Sequence, residues 1–197
     1  MLSNFVRQRA QGLLNVVARG FARIGFTPNR LTLVGFFATC SVGFFLATGN
    51  FVVGGLLIIA TGAFDALDGT LARLTNSASK FGAFLDSTTD RFAEGALFLG
   101  LLYWFNQRGV MGATYLVYLT LLGSLMVSYA RARAEGIGVE CKEGMVTRFE
   151  RIALLVVSLL LSVWLGEAAI LIALIILAVL TNVTAAQRIW LVYRATQ

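Results

Sequence analysis

The sequence has no histidine, one proline and two cysteines, and only 13% of its 197 residues are charged. The absence of histidine excludes imidazole-based acid–base chemistry and the usual zinc sites. Cys40 falls in an apolar run and Cys141 in a polar loop, so no disulfide is expected, and two thiols are too few for a metal site. A soluble domain carries about 25% charged residues, whereas here 58% of residues are hydrophobic. That balance indicates one polytopic membrane domain over residues 1–197, with no internal repeat, linker or low-complexity segment. No cleavable signal is recognised, because the first 28 residues are basic and the first long apolar run starts at Leu31.

What is present is a series of apolar segments. Residues 3–24 read as an amphipathic helix, with Phe5, Leu13, Leu14, Val17 and Phe21 in an apolar stripe beside Arg7, Arg9, Arg19 and Arg23. Such a helix suits the bilayer interface, or packs on the protein from the cytosol. Thr27 is placed to cap the next helix, with Pro28 at its first position. Six apolar segments follow, roughly Leu31–Ala47, Phe51–Leu71, Phe81–Phe105, Ala113–Ala130, Ile152–Leu165 and Ala168–Val192. Most reach the roughly 20 residues that cross a bilayer core, and backbone groups in lipid must pair internally, so the fold class expected is all-α with a six-span bundle over 28–194. With the N-terminus in the cytoplasm, every Lys and Arg except Arg108 lies on the cytoplasmic side. Both termini are then cytoplasmic. The basic residues track the membrane boundary, which argues against nucleic acid as a partner.

The stretch Phe64–Arg91 holds four of the ten carboxylates. Asp65 and Asp68 are three apart, Asp86 and Asp90 four apart, so each pair shares a helix face. The topology places them at the cytoplasmic ends of spans two and three. They could be ordinary boundary charges, but Asp65 and Asp86 sit in the apolar contexts TGAFDAL and FGAFLDS, and acidic residues within spans are costly and usually functional. An all-carboxylate set suits Mg²⁺, Mn²⁺ or Ca²⁺ rather than zinc. A two-metal site of this kind commonly clamps a phosphate or pyrophosphate. Gly69 and Gly82 would let a ligand approach the backbone, or serve helix packing. Arg73 is placed to pair with a phosphate, and Ser79 and Lys80 lie in the intervening loop.

The run D-x2-D-G-x2-A-R-x8-G-x3-D-x3-D, filled by Asp65, Asp68, Gly69, Ala72, Arg73, Gly82, Asp86 and Asp90, resembles the signature of the CDP-alcohol phosphatidyltransferase family. The resemblance implies attack by a polar alcohol's hydroxyl on the β-phosphorus of a CDP-linked lipid, with CMP leaving. It implies two Mg²⁺ ions, with Mn²⁺ as the alternative, on Asp65, Asp68, Asp86 and Asp90, and Asp90 as the base. It implies that Gly69, Arg73, Ser79 and Gly82 hold the CDP group. Pro28-Asn29-Arg30-Leu31-Thr32 resembles a segment often found before the family's first span, which adds Asn29 and Thr32.

A second informative region is Ser128–Arg151, where Arg131, Arg133, Arg148 and Arg151 cluster, with Arg188 near the end of the last segment. Positive-inside topology accounts for Lys142 and Arg194. Arg151 and Arg188 each border an apolar run, and arginines converging beside a metal site suggest an acceptor that already carries a phosphate. SYARARAEG followed by RFER, then QR, resembles the branch of the family that makes phosphatidylinositol phosphate. That resemblance assigns the acceptor, inositol 1-phosphate (1D-myo-inositol 3-phosphate), to Arg131, Arg151 and Arg188. Glycerol 3-phosphate as acceptor, and an archaeal ether lipid in place of diacylglycerol, are the alternatives within the family. A small cation transporter is the alternative outside it. The family also implies a homodimer, for which Gly95, Gly100, Gly112 and Gly123 offer close-packing surfaces.

Overall fold

The computed structural model describes residues 2–141 and 144–197, with side chains described from residue 11 onward. Phe5, Arg7, Arg9 and Lys142, used above for the amphipathic stripe and the topology, therefore lie outside the described side chains. Among the described residues there are seven helices and no strand: α1 Leu2–Arg23, α2 Pro28–Ala47, α3 Phe51–Leu74, α4 Lys80–Gln107, α5 Met111–Gly136, α6 Arg148–Leu165 and α7 Glu167–Ala195. Four of these, α2, α3, α5 and α7, are long and apolar enough to cross a membrane. The protein is accordingly an integral membrane protein.

Local sequence explains the boundaries. Pro28 opens α2, where its missing N–H costs nothing, and Thr27 Oγ1 accepts from Arg30 N–H at 3.4 Å. α3 ends in a Schellman motif: Ser77 N–H donates to Ala72 O at 3.0 Å and Asn76 N–H to Arg73 O at 3.4 Å. Asn76 takes the left-handed position, φ 50°. That stop turns residues 77–79 back beside the last turn of α3. Ser79 then caps α4, its Oγ accepting from Gly82 N–H at 2.9 Å.

The chain divides into two compact units. The first comprises Met1–Val42 and Leu57–Glu94, the second Gly43–Leu56 and Gly95–Gln197. In the first unit, buried Ala18 of α1, Leu31 of α2, and Leu67 and Leu71 of α3 form a cluster flanked by Leu14, Phe21, Ala22, Phe26 and Phe64. Of the predicted α1 stripe, Leu14 and Phe21 thus pack inward, while Leu13 is 68% exposed. α2 and α3 approach closely at Gly35, where a Cβ would lie 2.8 Å from Phe64 Cβ. Apolar burial gains little in lipid, so contact of this closeness supplies dispersion energy instead.

In the second unit, Gly100 packs on the Gly43 carbonyl, and Gly123 faces Thr181 and Asn182. Asn182 Nδ2 also donates to Leu119 O at 3.1 Å, and Thr120 Oγ1 to Leu174 O at 3.3 Å. Those bonds seal α5 to α7. Gly100 and Gly123 are therefore taken up within the chain, whereas a Cβ at Gly95 or Gly112 would meet nothing within 4 Å. Arg108 of the α4–α5 turn lies 3.5 Å from Glu167 at the start of α7 and stacks 4.3 Å over the Trp104 ring.

Candidate active site

The first unit contains a cleft of about 240 Å³ at the facing ends of α2, α3 and α4. All six residues that the sequence assigned to a CDP-lipid line it: Asn29, Thr32, Gly69, Arg73, Ser79 and Gly82. Asp68 and Asp86 line it as well. The α3 stop at Asn76 and the Ser79 cap bring the two halves of the aspartate stretch together. Without that reversal, Arg73 and Gly82 would diverge.

The cleft has a floor and a rim. Asp68 is 7% exposed, and Thr32 Oγ1 donates to its Oδ2 at 2.6 Å. Thr32 Oγ1 also lies 3.1 Å from Pro28 O, but the carboxylate is nearer and charged, so it is the stronger acceptor. Asp65 and Asp86 both lie within electrostatic reach of Asp68. The burial differs from the sequence expectation: Asp65 is exposed and Asp68 is the buried carboxylate of α3. Three residues advance a helix by about 300°, enough to set one carboxylate at the rim and the next beneath Thr32. Among the described residues, no three carboxylate or thiol side chains stand close enough to form a closed metal cage.

Arg73 is exposed, and its guanidinium is anchored. Its Nη2 donates to Thr70 Oγ1 at 3.2 Å, and Nη1 lies 3.5 Å from where a Cβ on Gly69 would be. The guanidinium therefore lies across Gly69. A Cβ on Gly82 would meet Asn29 Oδ1 at 3.1 Å and Ser79 Oγ at 3.2 Å. Both glycines line the cleft.

Asp90 lies one turn beyond Asp86 on α4 and outside the residues lining the cleft. Its side chain is 13% exposed and lies 3.6 Å from Arg91 Nη1, which also donates to Ser87 O at 2.6 Å. Sequence reasoning passed over Glu94, which continues the four-residue spacing of Asp86 and Asp90 and is only 2% exposed. The repeated spacing was the available signal. The Thr32–Asp68 bond joins residues 36 apart in the chain, a relation that local spacing does not carry.

In the second unit, Arg151 and Arg188 are 2% and 4% exposed, and Arg131 and Arg151 lie within electrostatic reach of Arg188. Arg188 is thus the common neighbour of the other two predicted arginines. Arg188 Nη1 donates to Val127 O at 2.6 Å. Arg131 is exposed and its Nε donates to Glu135 Oε1 at 2.8 Å. Arg151 is placed by a capping box at the start of α6, in which Thr147 and Glu150 satisfy each other's backbone N–H groups. The Thr-x-x-Glu pattern before an apolar run was the sequence signal for that box.

Comparison with known proteins agrees with this layout. A family model for CDP-alcohol phosphatidyltransferase matches residues 26–186. Archaetidylinositol phosphate synthase of Pyrococcus horikoshii is 37% identical over 192 residues, covering 96% of this chain and 95% of the relative. A crystal structure of Mycobacterium tuberculosis phosphatidylinositol phosphate synthase with CDP-DAG bound matches with TM-score 0.87 and 30% identity, covering 91% of this chain and 93% of that one. A second structure of the same mycobacterial enzyme, in complex with manganese and citrate, matches with TM-score 0.85 and 30% identity over 91% of this chain and 88% of that one. The family match spans the aspartate cleft together with Arg131 and Arg151, and this chain belongs to the CDP-alcohol phosphatidyltransferase family as a transferase.

Proposed function

We propose that the protein transfers a phosphatidyl group from a CDP-linked lipid to inositol 1-phosphate (1D-myo-inositol 3-phosphate), giving phosphatidylinositol phosphate and CMP. The observation that carries the reading is the cleft in which Asp68 and Asp86 meet all six residues assigned to the CDP group. Relatives named for inositol phosphate products support the acceptor. One of them makes an archaetidyl lipid, which keeps an ether-linked donor as the second reading.

In this proposal Asp65, Asp68, Asp86 and Asp90 hold divalent ions, two Mg²⁺ with Mn²⁺ as a substitute. The donor set fits in its chemistry: it is all oxygen, and Asp65 and Asp86 each lie within electrostatic reach of Asp68. When bound, the ions neutralise the pyrophosphate and make the acceptor hydroxyl more acidic. Thr32 holds the Asp68 carboxylate by donating to Oδ2. Arg73 pairs with a phosphate oxygen. Asn29, Thr32 and Ser79 contact the nucleotide, and Gly69 and Gly82 let it lie against the backbone. Arg131, Arg151 and Arg188 bind the phosphate of the acceptor. An Asp90 carboxylate oxygen takes the acceptor hydroxyl proton, and the freed oxygen forms a bond to the β-phosphorus. The bond from that phosphorus to the bridging oxygen breaks, and the electron pair leaves with CMP.

The remaining features belong to the same proposal. The two units act as one catalytic domain. α4 and α6 join the four apolar helices to give six spans, with both termini and the site on the cytoplasmic side. α1 lies at the interface, with Leu13 and Val16, 68% and 65% exposed, toward lipid. Two copies of the chain pair through close-packed helices, for which Gly95 and Gly112 remain open. The purified protein should release CMP from CDP-diacylglycerol only when both a divalent ion and inositol phosphate are present. Divalent-ion flux into liposomes without CMP release would instead identify a transporter and overturn the reading.

A further inference from the structure

Gly144 lies in the segment between α5 and α6, outside the residues assigned above to either substrate. Its φ is 154°, a conformation that favours glycine. A Cβ there would lie 2.7 Å from Thr184 Cγ2, 3.3 Å from Arg188 Nε and 3.5 Å from Arg188 Nη2. Thr184 cannot easily yield, because it is fully buried and its Oγ1 donates to Leu180 O at 2.7 Å, which fixes where its methyl points. Arg188 is held on another edge by Nη1 donating to Val127 O at 2.6 Å. Three residues before Gly144, Cys141 is fully buried and within electrostatic reach of the same guanidinium. Gly144 itself therefore lies against Arg188 at a point where only glycine fits.

We propose that Gly144 is a positioning residue for the acceptor: its bare backbone is the wall that sets the Arg188 guanidinium at the angle needed to receive the acceptor's phosphate. A methyl group at 144 pushes on the Nε–Nη2 edge, and the guanidinium rotates about its Val127 anchor. A planar fork binds phosphate bidentately only in a narrow range of orientations, so rotation loses a charge-assisted bond without removing the charge. This rests on the reading that Arg188 binds the acceptor phosphate.

The test uses the full chain in lipid nanodiscs with CDP-diacylglycerol and 1D-myo-inositol 3-phosphate. Gly144→Ala should raise KM for inositol phosphate about tenfold or more, the worth of one charge-assisted hydrogen bond, while KM for CDP-diacylglycerol stays near wild type. In an Arg188→Ala background, Gly144→Ala should add nothing to the acceptor KM. An unchanged acceptor KM in Gly144→Ala overturns the proposal. So does an equal further rise in the Arg188→Ala background, because Gly144 would then act through something other than Arg188. If Arg188→Ala itself leaves the acceptor KM unchanged, the underlying assignment of Arg188 fails, and Gly144's role with it. Should Gly144→Ala fail to fold, the pair Gly144→Ala and Thr184→Ser, which lacks the obstructing methyl, carries the same test with the same outcomes.

Discussion

Thr32 Oγ1 donates to Asp68 Oδ2 at 2.6 Å, tying α2 to the most buried carboxylate of the aspartate stretch. A hydrogen bond to a charged acceptor contributes about 1.5–3 kcal/mol, and groups that orient metal ligands typically matter about 10- to 100-fold in metal affinity or activity. Thr32→Val should therefore weaken Mn²⁺ binding, read as free Mn²⁺ by electron paramagnetic resonance, by about tenfold. Thr32→Ser keeps the hydroxyl and should stay near wild type. Equal binding by the valine variant would show that Asp68 needs no such support.

Asp90 lies beside Arg91 rather than in the lining of the cleft, so its removal should spare lipid binding. Asp90→Asn should lower turnover by about 10²- to 10⁴-fold, the usual worth of a general base. CDP-lipid binding, measured by equilibrium titration, should persist. Turnover close to wild type would remove Asp90 from the role of base.

Gly69 and Gly82 separate the needs of the fold from those of the ligand. A methyl at Gly69 would meet Arg73 Nη1 at 3.5 Å, an ordinary contact, so Gly69→Ala should fold with unchanged thermal stability. It places that methyl in the cleft and should raise KM for the CDP-lipid without changing KM for the acceptor. Gly82→Ala should do the same and also lower thermal stability, because its methyl crowds Asn29 Oδ1 and Ser79 Oγ. Wild-type CDP-lipid KM in both variants would show that the ligand does not lie against these backbones.

The capping box of α6 carries a pH dependence. The Glu150 carboxyl is held below its ordinary value of 4.5, first by the Thr147 backbone N–H and then by the Thr147 hydroxyl. A carboxylate with a lowered folded-state pKa stabilises above its unfolded value, and that contribution is lost as pH falls through the folded value. Glu150→Ala should thus lower Tm most at neutral pH, and the gap to wild type should close as pH falls below 4.5. A gap independent of pH would show that the charge of Glu150 plays no part. Fraying of this turn also moves Arg151, so the acceptor KM should rise with the loss of Tm.

The helices were legible in the sequence because lipid admits few backbone solutions. The apolar segment predicted at Phe51–Leu71 differs from α3, Phe51–Leu74, only in its last turn. That Gly69, Arg73 and Gly82 share one cleft was legible too, since they are fixed by local spacing on two consecutive helices. What escaped were relations between distant parts of the chain. Burial of Asp68 rather than Asp65 depends on which way α3 is turned toward Thr32, and hydropathy alone does not report that rotation. Gly100 and Gly123 looked free for a partner because their true neighbours, Gly43, Thr181 and Asn182, lie 57 or more residues away in the chain. Gly144 carried no pattern at all, as its constraint is a contact with Arg188 that only the folded chain reveals.

The central claim is the transfer of a lipid phosphate to a phosphorylated inositol, and one competition assay tests it most directly. The purified protein is given CDP-diacylglycerol, Mg²⁺ and equimolar 1D-myo-inositol 3-phosphate and glycerol 3-phosphate, and the lipid products are read by mass spectrometry. The account predicts phosphatidylinositol phosphate as the dominant product, with CMP released in equal amount. Phosphatidylglycerophosphate as the dominant product would contradict it.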